Sequence, residues 1–215
     1  ERGWSFIKRV GTVIVASSII LWFLQGFGFT EAGFGMVEDN NNSILANIGN
    51  AIAWIFAPLG FGSWQPVAAS ISGFSAKEAI VTTMGVLANV DESMVEETAV
   101  VGAAIQSWFP NVAAAFSFLV FNLLDSPCLA AIATMAQQMQ SRKWFWFAIG
   151  YECGFAYVIA LMINYFGKLF TGALAGAGDI IGLIVAFLLL AALIYLLVRP
   201  YKESKKLGVK VKVTK

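Results

Sequence analysis

The sequence predicts an all-α polytopic membrane protein of about six transmembrane or re-entrant helical segments, one of them broken at Asp125-Ser126-Pro127-Cys128. Three observations predict it. First, 59% of the 215 residues are hydrophobic and 13% charged, with a mean hydropathy of +0.75. That charge content is about half the roughly 25% usual in soluble domains. Second, residues 10–30 form an uncharged run long enough, at about 1.5 Å per residue, to cross a roughly 30 Å hydrocarbon core. Third, the apolar run 112–140 carries a carboxylate, a proline and a thiol at its centre. Proline removes a backbone donor and clashes with the preceding turn, so a helix breaks there. Broken backbone at membrane depth is tolerated only where protein or a water-filled cavity covers it. The break is therefore a candidate ion or substrate site.

The elements follow in order. Residues 1–9 set Arg2, Lys8 and Arg9 beside Trp4 and Phe6, an interfacial lead-in to the first span at 10–30. Glu31, Glu38 and Asp39 follow without a cation, and Asn40-Asn41-Asn42 leads to Ser43, which caps the next helix. The apolar stretch 44–60 is short and ends in Pro58-Leu59-Gly60. A second stretch, 67–88, is interrupted by Lys77 and Glu78, and 44–88 fits either two crossings or one re-entrant hairpin. Ser93-x-x-Glu96 is a capping box for a helix reaching Trp108, where Pro110-Asn111 ends it. Residues 112–124 and 129–140 flank the break. The span 144–166 holds Glu152 and Cys153, and a Gly/Ala-rich loop with Asp179 leads to the last span, 180–198.

Lysine and arginine cluster in the lead-in, at Arg142-Lys143 and in the tail 199–215, with Lys168 alone among them on the other side. The positive-inside rule then places both termini of a multi-pass protein in the cytoplasm. Residues 1–9 read as lead-in, 10–198 as the transmembrane domain and 199–215 as a basic cytoplasmic tail.

Several classes are excluded. There is no histidine, hence no imidazole acid–base chemistry or metal ligation. Cys128 and Cys153 form neither a disulfide framework nor a zinc spacing. A net charge of +1 leaves no electrostatic footprint for nucleic acid. No P-loop is present in this chain, and no tightly bound cofactor is expected. The chain opens on Glu1 and reads as a piece of a longer protein.

Lys77, Glu78, Asp125 and Glu152 fall inside expected spans, where each costs roughly 2.5–3.5 kcal/mol at a helix centre. Counting turns places them in one slab. Lys77 with Asp125 or Glu152 fits a buried ion pair holding helices together; the same groups also fit an ion path. Free cysteine commonly packs as a small inert hydrophobe, but Cys128 opens a half-helix whose N-terminal dipole favours negative charge. Cys128 with Asp125, Glu152 and the Asn122 amide oxygen makes a mixed sulfur–oxygen set that borderline divalent ions such as ferrous iron accept. Lys77, Glu78 and Pro127 are candidates for gating or charge pairing. Transport favours such weak, incomplete coordination, because the ion must leave as readily as it enters.

Several phrases together resemble a known family. Phe6-Ile7-Lys8-Arg9-Val10-Gly11-Thr12, Ala57-Pro58-Leu59-Gly60-Phe61 with Trp64-Gln65, Gly73-Phe74 with Ala76-Lys77-Glu78, and Ser117-Phe118-Leu119-Val120-Phe121 followed by Pro127-Cys128 resemble the C-terminal membrane half of the bacterial ferrous iron transporters of the FeoB family. The resemblance implies the second of two Gate repeats. It also implies an N-terminal GTP-binding domain, with its GTP and Mg2+, and a first Gate repeat outside this chain. Ferrous iron is the implied cargo, Cys128 the implied member of its path, and this chain itself is not an enzyme. The implied partners are the lipid bilayer, the N-terminal part of the transporter and, as an open possibility, further copies of it.

Two other readings stand beside this one. One is a Gate protein for an organic solute such as a nucleoside, bound by Gln65, Asn122 and Lys77. The other is a non-transporting assembly module that associates through Gly102-Ala103-Ala104 and Ala113-Ala114-Ala115.

Overall fold

The computed structural model describes residues 2–30, 33–37, 40–75, 77, 79–88, 98–174 and 176–199. Its helices are α1 (Arg2–Gly26), α2 (Ile44–Phe56), α3 (Trp64–Gly73), α4 (Ala79–Leu87), α5 (Thr98–Ile105), α6 (Val112–Leu124), α7 (Leu129–Gln138), α8 (Arg142–Thr171) and α9 (Ala177–Val198). An antiparallel hairpin, β1 (Phe27–Thr30) and β2 (Gly33–Met36), follows α1.

Among the described residues, three stretches are long and apolar enough to cross a membrane: Val112–Gln138, Arg142–Thr171 and Ala177–Val198. The pair Ile44–Leu59 and Trp64–Gly73, bent by 98°, makes a fourth if it counts as one span. The all-α membrane class therefore holds. The expected Ser93–Glu96 capping box lies outside the described residues, as do Glu1, Glu31, Glu38, Asp39, Glu78 and the tail from residue 200.

Two expected spans are redrawn. The helix expected over 10–30 stops at Gly26, and Phe27-Gly28-Phe29-Thr30 pairs with Gly33-Phe34-Gly35-Met36. The alternation of glycine with large apolar residues has the two-residue period of a strand, and glycine weakens helix continuation. The stretch expected over 67–88 begins earlier, at Trp64, and divides into α3 and α4. Neither half alone spans a bilayer.

Local chemistry accounts for the ends. Ser43 caps α2 as the sequence predicts, its Oγ accepting from the Ala46 N–H at 3.0 Å. After α2 a short 3-10 turn, Ala57–Leu59, carries Pro58 near its start and ends at Gly60, which has φ 94°. That left-handed conformation favours glycine. The turn delivers Leu59 and Phe61 fully buried into the main core with Ile80, Met84, Phe118 and Phe121. Phe61 meets Phe118 edge-on at 5.3 Å between centroids, a favoured aromatic geometry.

α6 packs chiefly on α8. Small residues permit the approach: Ala113, Ala114, Ala156 and Ala160 are buried, and a Cβ built on Gly167 would collide with Ala113. Ser117 Oγ donates across this seam to the Ala160 carbonyl at 2.8 Å. α9 packs on α8 but leaves most of its apolar surface open, with Leu197 80% exposed. An apolar surface of that extent suits lipid rather than water.

Candidate functional site

The two breaks in the helical scaffold meet. α6 ends where the Asp125 N–H bonds to the Phe121 carbonyl at 2.8 Å and the chain turns extended. Ser126 and Pro127 follow, and Cys128 is the N-cap residue of α7. On the opposing side, α3 ends at Gly73 and α4 begins at Ala79. The Leu129 N–H, at the start of α7, donates to the Phe74 carbonyl at 2.8 Å. One broken helix thus supplies an orphan donor to the orphan acceptor of the other.

Lys77 completes the junction. Its ammonium donates to the Asn122 carbonyl at 2.6 Å, to the Asp125 carbonyl at 3.4 Å and to Asp125 Oδ1. The positive group therefore sits at the C-terminal end of α6, where exposed carbonyls concentrate negative charge. Asp125 is buried, whereas the Lys77 side chain is 34% exposed. α1 joins from a third direction, through a 2.7 Å hydrogen bond between the Ser17 and Ser75 hydroxyls.

The sequence-predicted site residues divide accordingly. Lys77, Asp125, Pro127, Cys128 and Asn122 belong to the junction. Asn122 is buried, its amide nitrogen donating to the Phe118 carbonyl at 2.8 Å, and its Oδ1 has no partner among the described residues. Ser126 Oγ is likewise buried and unpartnered among them. Cys128 and Cys153 are free thiols, both half-buried. Glu152 lies within α8, half-buried, with Oε2 lacking a partner among the described residues. No group of three or more Cys, Asp or Glu side chains gathers around a common metal position among the described residues. In this conformation Cys128, Asp125 and Glu152 are not one preassembled ligand set.

Sequence reading did not single out Asn164. Fully buried in α8, it donates to the Pro58 carbonyl at 3.0 Å and leaves Oδ1 unpartnered among the described residues. A Cβ on Gly60 would lie 2.6 Å from that oxygen. A lone amide in a long apolar span was the available signal, since a buried polar group needs a partner. A cavity of about 670 Å³ was also not foreseen. It opens between α4, α5 and α6, walled by Met84, Ile105, Phe118 and Leu119 with Gln106 and Asn111 at its polar side.

The family described as "Gate: Nucleoside recognition" matches residues 7–142. The "Fe(2+) transporter FeoB" of Staphylococcus aureus (strain COL) is 32% identical over 171 residues, 79% of this chain and 24% of the relative. The protein of the same name in Methanocaldococcus jannaschii is 33% identical over 173 residues, 79% of this chain and 25% of the relative. That of Campylobacter jejuni is 27% identical over 168 residues, covering 76% and 27%. The chain thus spans about a quarter of the length of these curated relatives. No solved structure gives a significant match. The chain belongs to the Gate family, and its similarity is to the Gate portion of FeoB.

Proposed function

We propose that this chain forms part of the ferrous iron path of a longer FeoB-type transporter. The observation that carries the reading is the junction of two helix breaks inside an apolar bundle, with Asp125 and Cys128 on one break and Lys77 on the other. Broken helices place backbone carbonyls, half-helix dipoles and ionisable groups together at mid-membrane, as transport sites require. Iron is the substrate here, not a resident cofactor. In this reading it passes Asp125 and Cys128, with Glu152 supplying a further carboxylate. Partial and sequential coordination suits passage better than a closed cage.

The same proposal sets the context. A GTP-binding domain, with GTP and Mg2+, and another Gate repeat lie in the remainder of the transporter, and this chain performs no catalysis. It resides in the cytoplasmic membrane with both termini inside, 1–9 as lead-in and 199–215 as a basic tail. The test is ferrous iron uptake by the full-length transporter carrying Cys128→Ser. A marked loss at limiting iron is expected; unchanged uptake across a range of concentrations removes Cys128 from the path.

One observation favours a second reading. The cavity between α4, α5 and α6 has a volume, about 670 Å³, in the range of small-molecule sites, and the matching family is described by nucleoside recognition. Thermal stabilisation by nucleosides, with none by ferrous or cobalt ions, is the outcome that selects an organic solute.

A further inference from the structure

The Lys77 ammonium occupies a position built of oxygens. Asn122 O, Asp125 O and Asp125 Oδ1 surround it, at 2.6 Å and 3.4 Å for the two carbonyls. Two carbonyls and a carboxylate are the donor set that hard divalent cations take from proteins. The C-terminal end of α6 adds roughly half a negative charge to that of the carboxylate.

Two features distinguish this place from an ordinary ion pair. The same stretch of chain carries further buried oxygen: Asn122 Oδ1 and Ser126 Oγ have no partner among the described residues, on residues 6% and 1% exposed. An ammonium has three donors, and all three are assigned to the carbonyls and carboxylate already named. A divalent ion of this class takes six or more oxygens. The partners also differ in freedom, Asp125 being 4% exposed at its side chain and Lys77 34%. The cation is the member able to leave, on a flexible four-carbon stem.

We propose that the oxygens closing α6 form a divalent-cation seat that Lys77 holds as a tethered competitor. An arriving cation displaces the ammonium, and the ammonium returns when the cation moves on. Occupancy of Asp125 by an ion and by Lys77 is mutually exclusive, so the pair is a gate at the junction of the two breaks. This rests on the transport reading in one respect, that the displacing cation is the cargo; binding at the seat is measurable without transport.

The experiment uses the full-length transporter purified in detergent, with Mn2+ as the probe because it resists air oxidation and is visible by electron paramagnetic resonance. Lys77→Gln is expected to lower the Tm, to recover it in millimolar Mn2+, and to bind Mn2+ about tenfold more tightly than wild type, one decade of Kd. Adding Asp125→Asn to that variant is expected to abolish both gains. A second measurement needs no variant: Mn2+ should raise acetylation of Lys77 in the wild type, read by mass spectrometry against Lys143 as the exposed control. It decides the matter if Lys77→Gln does not fold. Unchanged Mn2+ affinity with no thermal recovery, or Lys77 labelling unmoved by Mn2+, overturns the seat and leaves a purely structural pair. A failed Cys128→Ser uptake test leaves these outcomes untouched, so the two readings fail separately.

Discussion

Lys77 and Asp125 pair across 48 residues of sequence, and in doing so join the break between α3 and α4 to the break between α6 and α7. Two interruptions that would each expose backbone to lipid are thereby satisfied by one another. The Leu129 N–H on the Phe74 carbonyl repeats the arrangement with backbone groups. Removing one member of a buried ion pair leaves the other uncompensated, which typically costs 3–5 kcal/mol. Because Lys77 is one-third exposed, solvent relieves part of that cost.

Asp125→Asn should therefore lower stability by about 2 kcal/mol. The combined Lys77→Met, Asp125→Leu replacement should recover much of the loss, since an apolar pair carries no desolvation cost. Thermal unfolding in detergent measures both. Additive destabilisation in the double variant contradicts the pairing.

Gly60 and Gly33 form a matched comparison. Both have positive φ, 94° and 111°. Among the described residues a Cβ at Gly33 meets nothing within 4 Å, whereas one at Gly60 lies 2.6 Å from Asn164 Oδ1 and 2.7 Å from the Ala114 Cβ. Gly33→Ala should cost backbone strain alone, about 1 kcal/mol. Gly60→Ala should cost that plus overpacking, about 3 kcal/mol in all. Equal Tm shifts for the two variants contradict the tight fit of the turn against α8.

The cap of α2 is a smaller and more local prediction. Ser43→Ala removes the acceptor for the Ala46 N–H and should cost about 1 kcal/mol. Faster hydrogen exchange confined to the first turn of α2 is the expected signature.

Glu152→Gln separates transport from packing. Glu152 Oε2 makes no hydrogen bond among the described residues, so the substitution should leave the Tm nearly unchanged. If its carboxylate serves the ion, uptake at limiting ferrous iron should fall roughly tenfold, the scale on which a lost supporting group weakens metal binding. Unaltered uptake removes Glu152 from the path.

Much of this architecture is legible in the sequence because its signals are local. Pro127 marks the break and Ser43 marks a cap, each by the chemistry of one residue. Charge within apolar runs points to Lys77, Asp125 and Glu152 as interior groups. Depth counting does not choose the partner of Lys77, because Asp125 and Glu152 fall in the same slab; the choice is made by three-dimensional placement of the α6 end. The β1–β2 hairpin is missed because an uncharged Gly-Phe run satisfies a hydropathy window while its two-residue period belongs to a strand. Asn164 is missed because its partner, the Pro58 carbonyl, lies 106 residues away. A long-range polar contact leaves no periodic trace.

In the proposed path a cation enters the junction where Asp125 and Cys128 lie. Crystals of the full-length transporter soaked anaerobically in ferrous iron, with anomalous scattering recorded at the iron edge, test it most directly. An iron peak within ligating distance of Asp125 or Cys128, with the Lys77 ammonium moved away from Asp125, is the predicted result. Ordered iron elsewhere in the membrane domain, with no peak at residues 125–128 and Lys77 still paired to Asp125, contradicts it.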